Sequence, residues 1–343
     1  MNREERVRAA IAGQEPDRVP VSVWMHFPDK DQDARTLAEH MVWFNEEYDY
    51  DFIKMMPMGA YVCPDWGGKL TVFGTKHDAV EITEPGIVTV EDYMHMEPLD
   101  PTYGTWGRTL QLSQWLSKLA KPNTPYIQTI FSPASILKKL TGAKGSSAEK
   151  LKEDMKENAG AVHYALEVIT ETVINFVKAN ADAGVSGFFF ATQEATYKSM
   201  DDLTFAEFCK PYDIRVLNEC MKYGWFNVLH IHGTDVMWET LSKYPCNVIN
   251  WHDRFTAPDL KDARGITSKC LLGGLAENPG GMTPKPGEGS VLTSGLSAAE
   301  IKAHVKEAID MVDGKGLMIG PGCVADTHAT PEALHAVRAA VER

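Results

Sequence analysis

Eight short apolar runs, at residues 21–24, 52–55, 125–131, 187–191, 227–231, 247–250, 270–274 and 317–319, are separated by longer stretches of helical periodicity. A chain that alternates strand and helix in this way has few means of burying both, and the count is that of a (β/α)8 barrel, an α/β fold of the TIM type. An open doubly wound sheet is the alternative. No Gly-x-Gly-x-x-Gly turn follows any of the runs and no P-loop occurs, so the barrel is the expected fold.

The 343 residues exceed the ~250 typical of such a barrel, so insertions are expected within one domain spanning 1–343. Residues 63–96 are where the text changes character. Short β-rich pieces at 69–73 and 86–90, separated by polar turns, read as an inserted hairpin or lid after the second strand. Residues 279–292, rich in Gly and Pro, read as a mobile loop. Helices are expected at 3–12, 34–48, 107–119, 205–223, 237–243, 259–263 and 331–341, with 146–183 as two helices broken near Gly160. Ser297 and Glu300 open another with a capping-box pattern.

Barrel active sites lie on the face formed by the strands' C-terminal ends. On that face the sequence places His26, Met56, Ser132, Gln193 and Glu194, His230 and His232, His252 and Asp253, Glu277, and Cys323. His230 and His232 are alternate residues of one strand, so their imidazoles share a face while Ile231 points the other way. Cys323 sits in the turn Gly320-Pro321-Gly322-Cys323, where backbone can approach a ligand closely. Separately, each has an ordinary explanation: a His-x-His is commonly a hydrogen-bonded pair, and a lone Cys a small hydrophobe. Together on one mouth, His230, His232 and Cys323 make the ligand set of a transition metal, Zn2+ above all, with a fourth position open. His77 and His335 read as surface residues.

The composition, 44% hydrophobic and 24% charged, is that of a chain with a sizeable core. A net charge of -13 argues against nucleic acid or an acidic membrane surface as partner. No apolar stretch approaches the ~18 residues of a membrane span and the N-terminus lacks a signal core, so a cytoplasmic location is expected. Six cysteines without a C-x-x-C pair argue against disulfides and a zinc ribbon. Met55-Met56-Pro57-Met58 suits an adaptable apolar pocket, although core filling is the commoner use of Met.

Several motifs give the chain a family likeness: Arg3-Glu4-Glu5-Arg6-Val7 with Pro16-Asp17-Arg18-Val19-Pro20, Phe131-Ser132-Pro133, Phe190-Ala191-Thr192-Gln193-Glu194-Ala195, and Gly320-Pro321-Gly322-Cys323 ahead of Thr330-Pro331-Glu332. In these the sequence resembles the uroporphyrinogen decarboxylase superfamily over essentially its whole length. The resemblance implies the same barrel and two branches of function, cofactor-free porphyrinogen decarboxylases and zinc-dependent methyltransferases that work with corrinoid proteins. The methyltransferase branch, methylcobamide:coenzyme M methyltransferases included, is the closer match. Its ligand pattern implies His230 and Cys323 as zinc ligands and puts His232 where that branch carries a Cys, which makes the metal more Lewis-acidic and departs from a coenzyme M substrate. The decarboxylase branch meets its polycarboxylate with an Arg-rich motif and a catalytic Asp, where this chain has Met25-His26-Phe27-Pro28 and Met55-Met56-Pro57-Met58.

The expected function is metal-dependent methyl transfer between a small substrate (a methyl ether, methylamine or thiol) and a corrinoid (cobalamin) cofactor or corrinoid protein. The alternatives are decarboxylation of a porphyrinogen or other small aromatic acid, and a non-catalytic tetrapyrrole-binding barrel. Glu194 is a candidate fourth ligand or proton donor, its ordinary reading being an ion pair with Arg254 or Lys198. His252 and Asp253 are the other catalytic candidates. Trp24, His26, Phe27, Met56, Met58 and Gln193 are candidates for contact with substrate or corrin. The oligomeric state, a homodimer included, is left open.

Overall fold

The computed structural model describes residues 1–143, 147–277, 290–293 and 295–342. Among these the strands, in chain order, are β1 (Ile53–Lys54), β2 (Lys69–Thr71), β3 (Glu81–Glu84), β4 (Tyr126–Phe131), β5 (Gly187–Thr192), β6 (Val228–Ile231), β7 (Val248–Trp251), β8 (Cys270–Leu275) and β9 (Leu317–Pro321). Seven of them form one parallel sheet in the order β1-β4-β5-β6-β7-β8-β9, and β2 pairs with β3 as a separate antiparallel hairpin. Every residue of β4 to β9 is buried, because helices cover the outer face and side chains fill the inner one. The helix Ala34–Glu47 shows how the cover is made. Asp33 caps it by accepting from Thr36 N at 2.8 Å, and Leu37, Met41 and Phe44, spaced for one face, are turned to the core.

The expected first strand, 21–24, is not a regular strand. It survives as two parallel bridges, Val21 with Ile319 and Met25 with Ala325, which lie between the sheet's two edges and close the barrel. On one side Ile319 N donates to Pro20 O at 2.8 Å and Ser22 N to Ile319 O at 3.0 Å; on the other Asp51 N donates to Val21 O at 2.8 Å. A continuous ladder is prevented by Pro20, which has no N–H, and by Asp51, whose carboxylate takes the Val21 N–H at 2.8 Å. Asp51 has no exposed surface and also accepts from Arg6 at 2.7 Å and from Arg18 at 2.6 and 3.0 Å. The N-terminal motifs Arg3–Val7 and Pro16–Pro20 thus supply the guanidiniums that hold the closure.

Several expectations about elements need correction. The hairpin's second strand is Glu81–Glu84, not 86–90, because Thr89 and Asp92 form a capping box that starts the helix Val90–Met94 there. The helix Pro133–Thr141 was not anticipated, although Ser132 followed by Pro133 is a helix-opening pair; Ser132 Oγ accepts from Ser135 N. The break in the long helical stretch falls at Asn158, between Ser147–Glu157 and Ala159–Asp182. Most of the loop 279–292 lies outside the described residues. All six cysteines are free, and no described helix is long and apolar enough to cross a membrane. The insertion reaches across the barrel mouth: His77 stacks on His328, ring centroids 4.0 Å apart, and its Nδ1 lies 3.1 Å from Thr327 Oγ1.

Removing the charge that closes the barrel leaves the buried Arg18 guanidinium without its anion and Arg6 with Asp17 alone. Asp51→Asn is expected to lower the unfolding free energy by about 3–5 kcal/mol, read from the urea midpoint. A loss under about 1 kcal/mol, the size of an exposed pair, would show that the barrel closes without this carboxylate.

Candidate metal centre

Three strands deliver the site. His230 lies within β6 and is buried; His232 follows one residue past its end, where its N–H still donates to Thr192 O of β5 at 3.0 Å. His252 follows β7, and Cys323 follows β9 after Gly322. Donor atoms of His230, His232, His252 and Cys323 all lie within 4.8 Å of one another. Within the group, His252 Nε2 is 3.3 Å and Cys323 Sγ 3.6 Å from His232 Nδ1. The three ligands expected from sequence are brought together, and His252, expected as a catalyst, joins them as a fourth donor.

The outer contacts orient these rings. Asn250 pairs in register with His230 across β6 and β7, and its Oδ1 lies 2.6 Å from His230 Nδ1. The Asn250 amide nitrogen donates to Leu272 O at 2.8 Å and Pro321 O at 3.0 Å, so both its hydrogens are committed and Oδ1 must accept. That network assigns the hydrogen of His230 to Nδ1 and leaves Nε2 with a free lone pair. His252 is held the same way, its Nδ1 2.6 Å from Glu277 Oε1, while the other Glu277 oxygen accepts from Gly322 N at 3.0 Å. One buried carboxylate therefore ties the His252 ring to the turn that carries Cys323. Glycine is required in that turn: a Cβ at residue 322 would lie 2.6 Å from Trp251 O and 2.9 Å from both Glu277 Oε1 and His252 Cα.

Burial opposes charge on these groups; at Cys323 and His252 their mutual contacts override it, and at His230 burial prevails. Against desolvation, the His230, His232 and His252 imidazoles hold the Cys323 thiol well below its ordinary range. Against desolvation too, Cys323 and Glu277 raise His252 to about 10. Burial pushes His230 down. A thiolate among three imidazoles, with outer hydrogen bonds in place, is a donor set suited to Zn2+.

His230, His232 and Cys323 line a cavity of about 230 Å³, together with Trp24, His26, Met56 and Gln193. Four of the six residues expected to touch substrate or corrin are thus at the cluster's side. Phe27 and Met58 are not: Phe27 packs on His40 and Phe44, centroids 4.5 and 5.5 Å away, and Met58 Sδ accepts from Gln32 Nε2 at 3.3 Å. Nor do the two carboxylates expected as catalysts line it. Asp253 faces the bend of β8, accepting from Gly274 N at 3.0 and 3.1 Å, and burial raises it to about 7. Glu194 is buried in an ion pair with Lys138 at 2.7 Å, not with Arg254 or Lys198, and desolvation raises its pKa.

Two charged residues of the cavity wall were missed from the sequence, Lys54 of β1 and Lys139 of the helix Pro133–Thr141. Lys54 was visible as a charge inside an apolar run, Phe52-Ile53-Lys54-Met55; nothing local distinguishes Lys139 from Lys138. Burial pushes Lys54 down to about 7 and also lowers Lys139. Burial, then the charge of Lys54, push His26 to about 4. A second, outer cavity of about 450 Å³ shares His26, Gly59, Lys139 and Gln193 with the first and is walled by Ala79, Val80 and Ile82 of the hairpin.

Comparison with known proteins bears on the family. A structure described as a methyltransferase from Methanosarcina mazei superimposes with a TM-score of 0.80 at 18% identity, covering 99% of this chain and 98% of that one. A B12-independent methionine synthase from Shewanella sp. W3-18-1, in complex with selenomethionine, gives 0.55 at 12% identity, covering 94% of this chain and 90% of its own. A putative vitamin-B12 independent methionine synthase from Listeria monocytogenes gives 0.52 at 15% identity, covering 94% of each chain. At these identities the likeness is one of fold. The comparison with curated proteins gives no match. The family model for uroporphyrinogen decarboxylase (URO-D) matches residues 2–343, and the chain therefore belongs to the uroporphyrinogen decarboxylase family.

Proposed function

We propose that this protein is a zinc-dependent methyltransferase that moves a methyl group between a small substrate and a corrinoid, free or carried by a partner protein. The observation that carries the reading is the group of three imidazoles and one thiol at the barrel mouth, opening onto a small cavity. The fold likeness to a methyltransferase from Methanosarcina mazei supports it. Zinc held there supplies Lewis acidity toward the substrate heteroatom that carries or receives the methyl group.

The chain's own residues do the rest. Asn250 keeps the His230 lone pair on Nε2, and Glu277 keeps His252 and the Cys323 turn at one spacing. Trp24, Met56 and Phe189 give the cavity apolar walls that exclude water from a reacting methyl group. His26 is neutral at physiological pH and can accept or donate a hydrogen bond to substrate. A second reading, metal-assisted decarboxylation of a small aromatic acid, is favoured by Lys54 and Lys139, which put two basic side chains in the cavity wall.

Three outcomes are expected. Purified protein will contain about one zinc per chain, and Cys323→Ala will lose most of it by elemental analysis; full retention would remove Cys323 from the site. Asn250→Ala and Gly322→Ala, which disturb the outer contacts, will each weaken zinc binding by about 10–100-fold in a competition with a chromogenic chelator. Unchanged affinity would show that the imidazoles are oriented by something else. Incubated with reduced cobalamin and a panel of methyl ethers, methylamines and methylated thiols, the protein will produce methylcobalamin from at least one donor, seen by absorbance. His230→Ala will abolish that signal while the circular dichroism spectrum is retained, and uroporphyrinogen will not be decarboxylated. Uroporphyrinogen turnover by metal-free protein would overturn the assignment.

A further inference from the structure

Glu277 reaches both His252 and the turn that carries Cys323, and what steadies Glu277 lies outside the sheet. The pairing of β8 with β9 ends where Leu275 stands beside Pro321, and the buried Ala276 lies beyond it. An N–H buried there needs an acceptor from elsewhere. His304 supplies one: its Nε2 takes the Ala276 N–H at 3.2 Å, and the Ala276 carbonyl accepts from Val291 N at 3.0 Å. Both backbone groups of the residue before Glu277 are therefore fixed.

His304 stands on the helix Ala298–Asp310, whose buried face is made by Ile301, Val305 and Ala308. Three residues after Ile301 it shares that face, where the helical pattern calls for an aliphatic side chain. Its partner explains the polar ring. Because Nε2 accepts, the ring hydrogen is on Nδ1 and the imidazole is neutral. Burial, then the charge of Arg254, push it down to about 4, against a weaker hydrogen bond with the Gly274 backbone. The His304 carbonyl in turn accepts from Arg254 Nη2 at 3.1 Å, and Arg254 Nε donates to Gly274 O at 3.1 Å. Arg254 lies two residues after His252, so this helix ties the loop after His252 to the segment that carries Glu277. Those are the two ends of the 2.6 Å contact between His252 Nδ1 and Glu277 Oε1.

We infer that His304 is a positioning residue for the donor cluster, setting the backbone from which Glu277 reaches both His252 and the Cys323 turn. This deepens the zinc reading and rests on it for the metal, while the link between His252 and Glu277 can be read whether or not metal is bound. What the site needs from residue 304 is an acceptor at the place of Nε2. Glutamine is long enough to set its Oε1 there, asparagine is too short, and leucine fills the volume with no acceptor. A role in helix packing alone favours leucine; the positioning role puts glutamine first.

Proton NMR of the protein as purified tests the link directly. The His252 Nδ1–H, in short contact with Glu277, gives a resonance far downfield, assigned by its displacement in Glu277→Gln. His304→Leu and His304→Asn should shift or broaden that resonance and weaken zinc binding about tenfold in chelator competition. His304→Gln should keep both near the wild-type values. In a Glu277→Gln background, His304→Leu should add less than about a twofold further loss, because the two residues act through one network. His304→Asn keeps a polar side chain in place and serves as the test if His304→Leu fails to fold. A resonance unmoved in both loss variants, a glutamine variant that behaves like the asparagine one, or a full tenfold loss on top of Glu277→Gln would overturn the inference. Wild-type protein without zinc would sink the zinc reading instead, and the resonance would still decide the role of His304.

Discussion

A carboxylate with no exposed surface holds the barrel shut. Asp51 accepts from Arg6, Arg18 and the Val21 N–H, and residues 20–25 can therefore bridge β9 and β1 without forming a regular strand. A buried anion of this kind is tolerable because each lone pair is met by a donor, and it would be costly with either guanidinium missing. The consequence reaches the mouth. The same segment ends at Trp24, whose carbonyl accepts from Ala325 N at 3.0 Å, two residues beyond Cys323. Closure of the barrel and placement of the thiol are one structural event.

The donor cluster depends in turn on strand register. His230 stands opposite Asn250, and Asn250 spends its amide hydrogens on the backbone of β8 and β9, so three further strands decide which nitrogen of His230 is free. Glu277, just past β8, spans from His252 to the backbone of Gly322. Each donor is thus fixed by a neighbour from another strand, and the cluster is prepared as a unit rather than residue by residue. Lys54 and Lys139 also stand in the cavity wall, where burial lowers the pKa of both.

Much of this was written locally in the chain. Strand and helix alternation follows from the periodicity of apolar residues, and the shared face of His230 and His232 from the two-residue repeat of a strand. The Gly-Pro-Gly turn announced a close backbone approach, and the Cβ that Gly322 lacks has no room beside Trp251, His252 and Glu277. Those features depend only on neighbours a few residues away. Tertiary structure alone decided the rest. Residues that follow a strand's end take their direction from loop backbone, which is why Phe27, Met58, Glu194 and Asp253 turn into packing or ion pairs while His252 turns inward to the donors. Asn250 and Glu277 acquire their roles from register between strands distant in sequence, and Lys54 and Lys139 from a cavity that exists only once the barrel has closed. A side chain's partner across such a gap is set by the packing of the whole, and no local period records it.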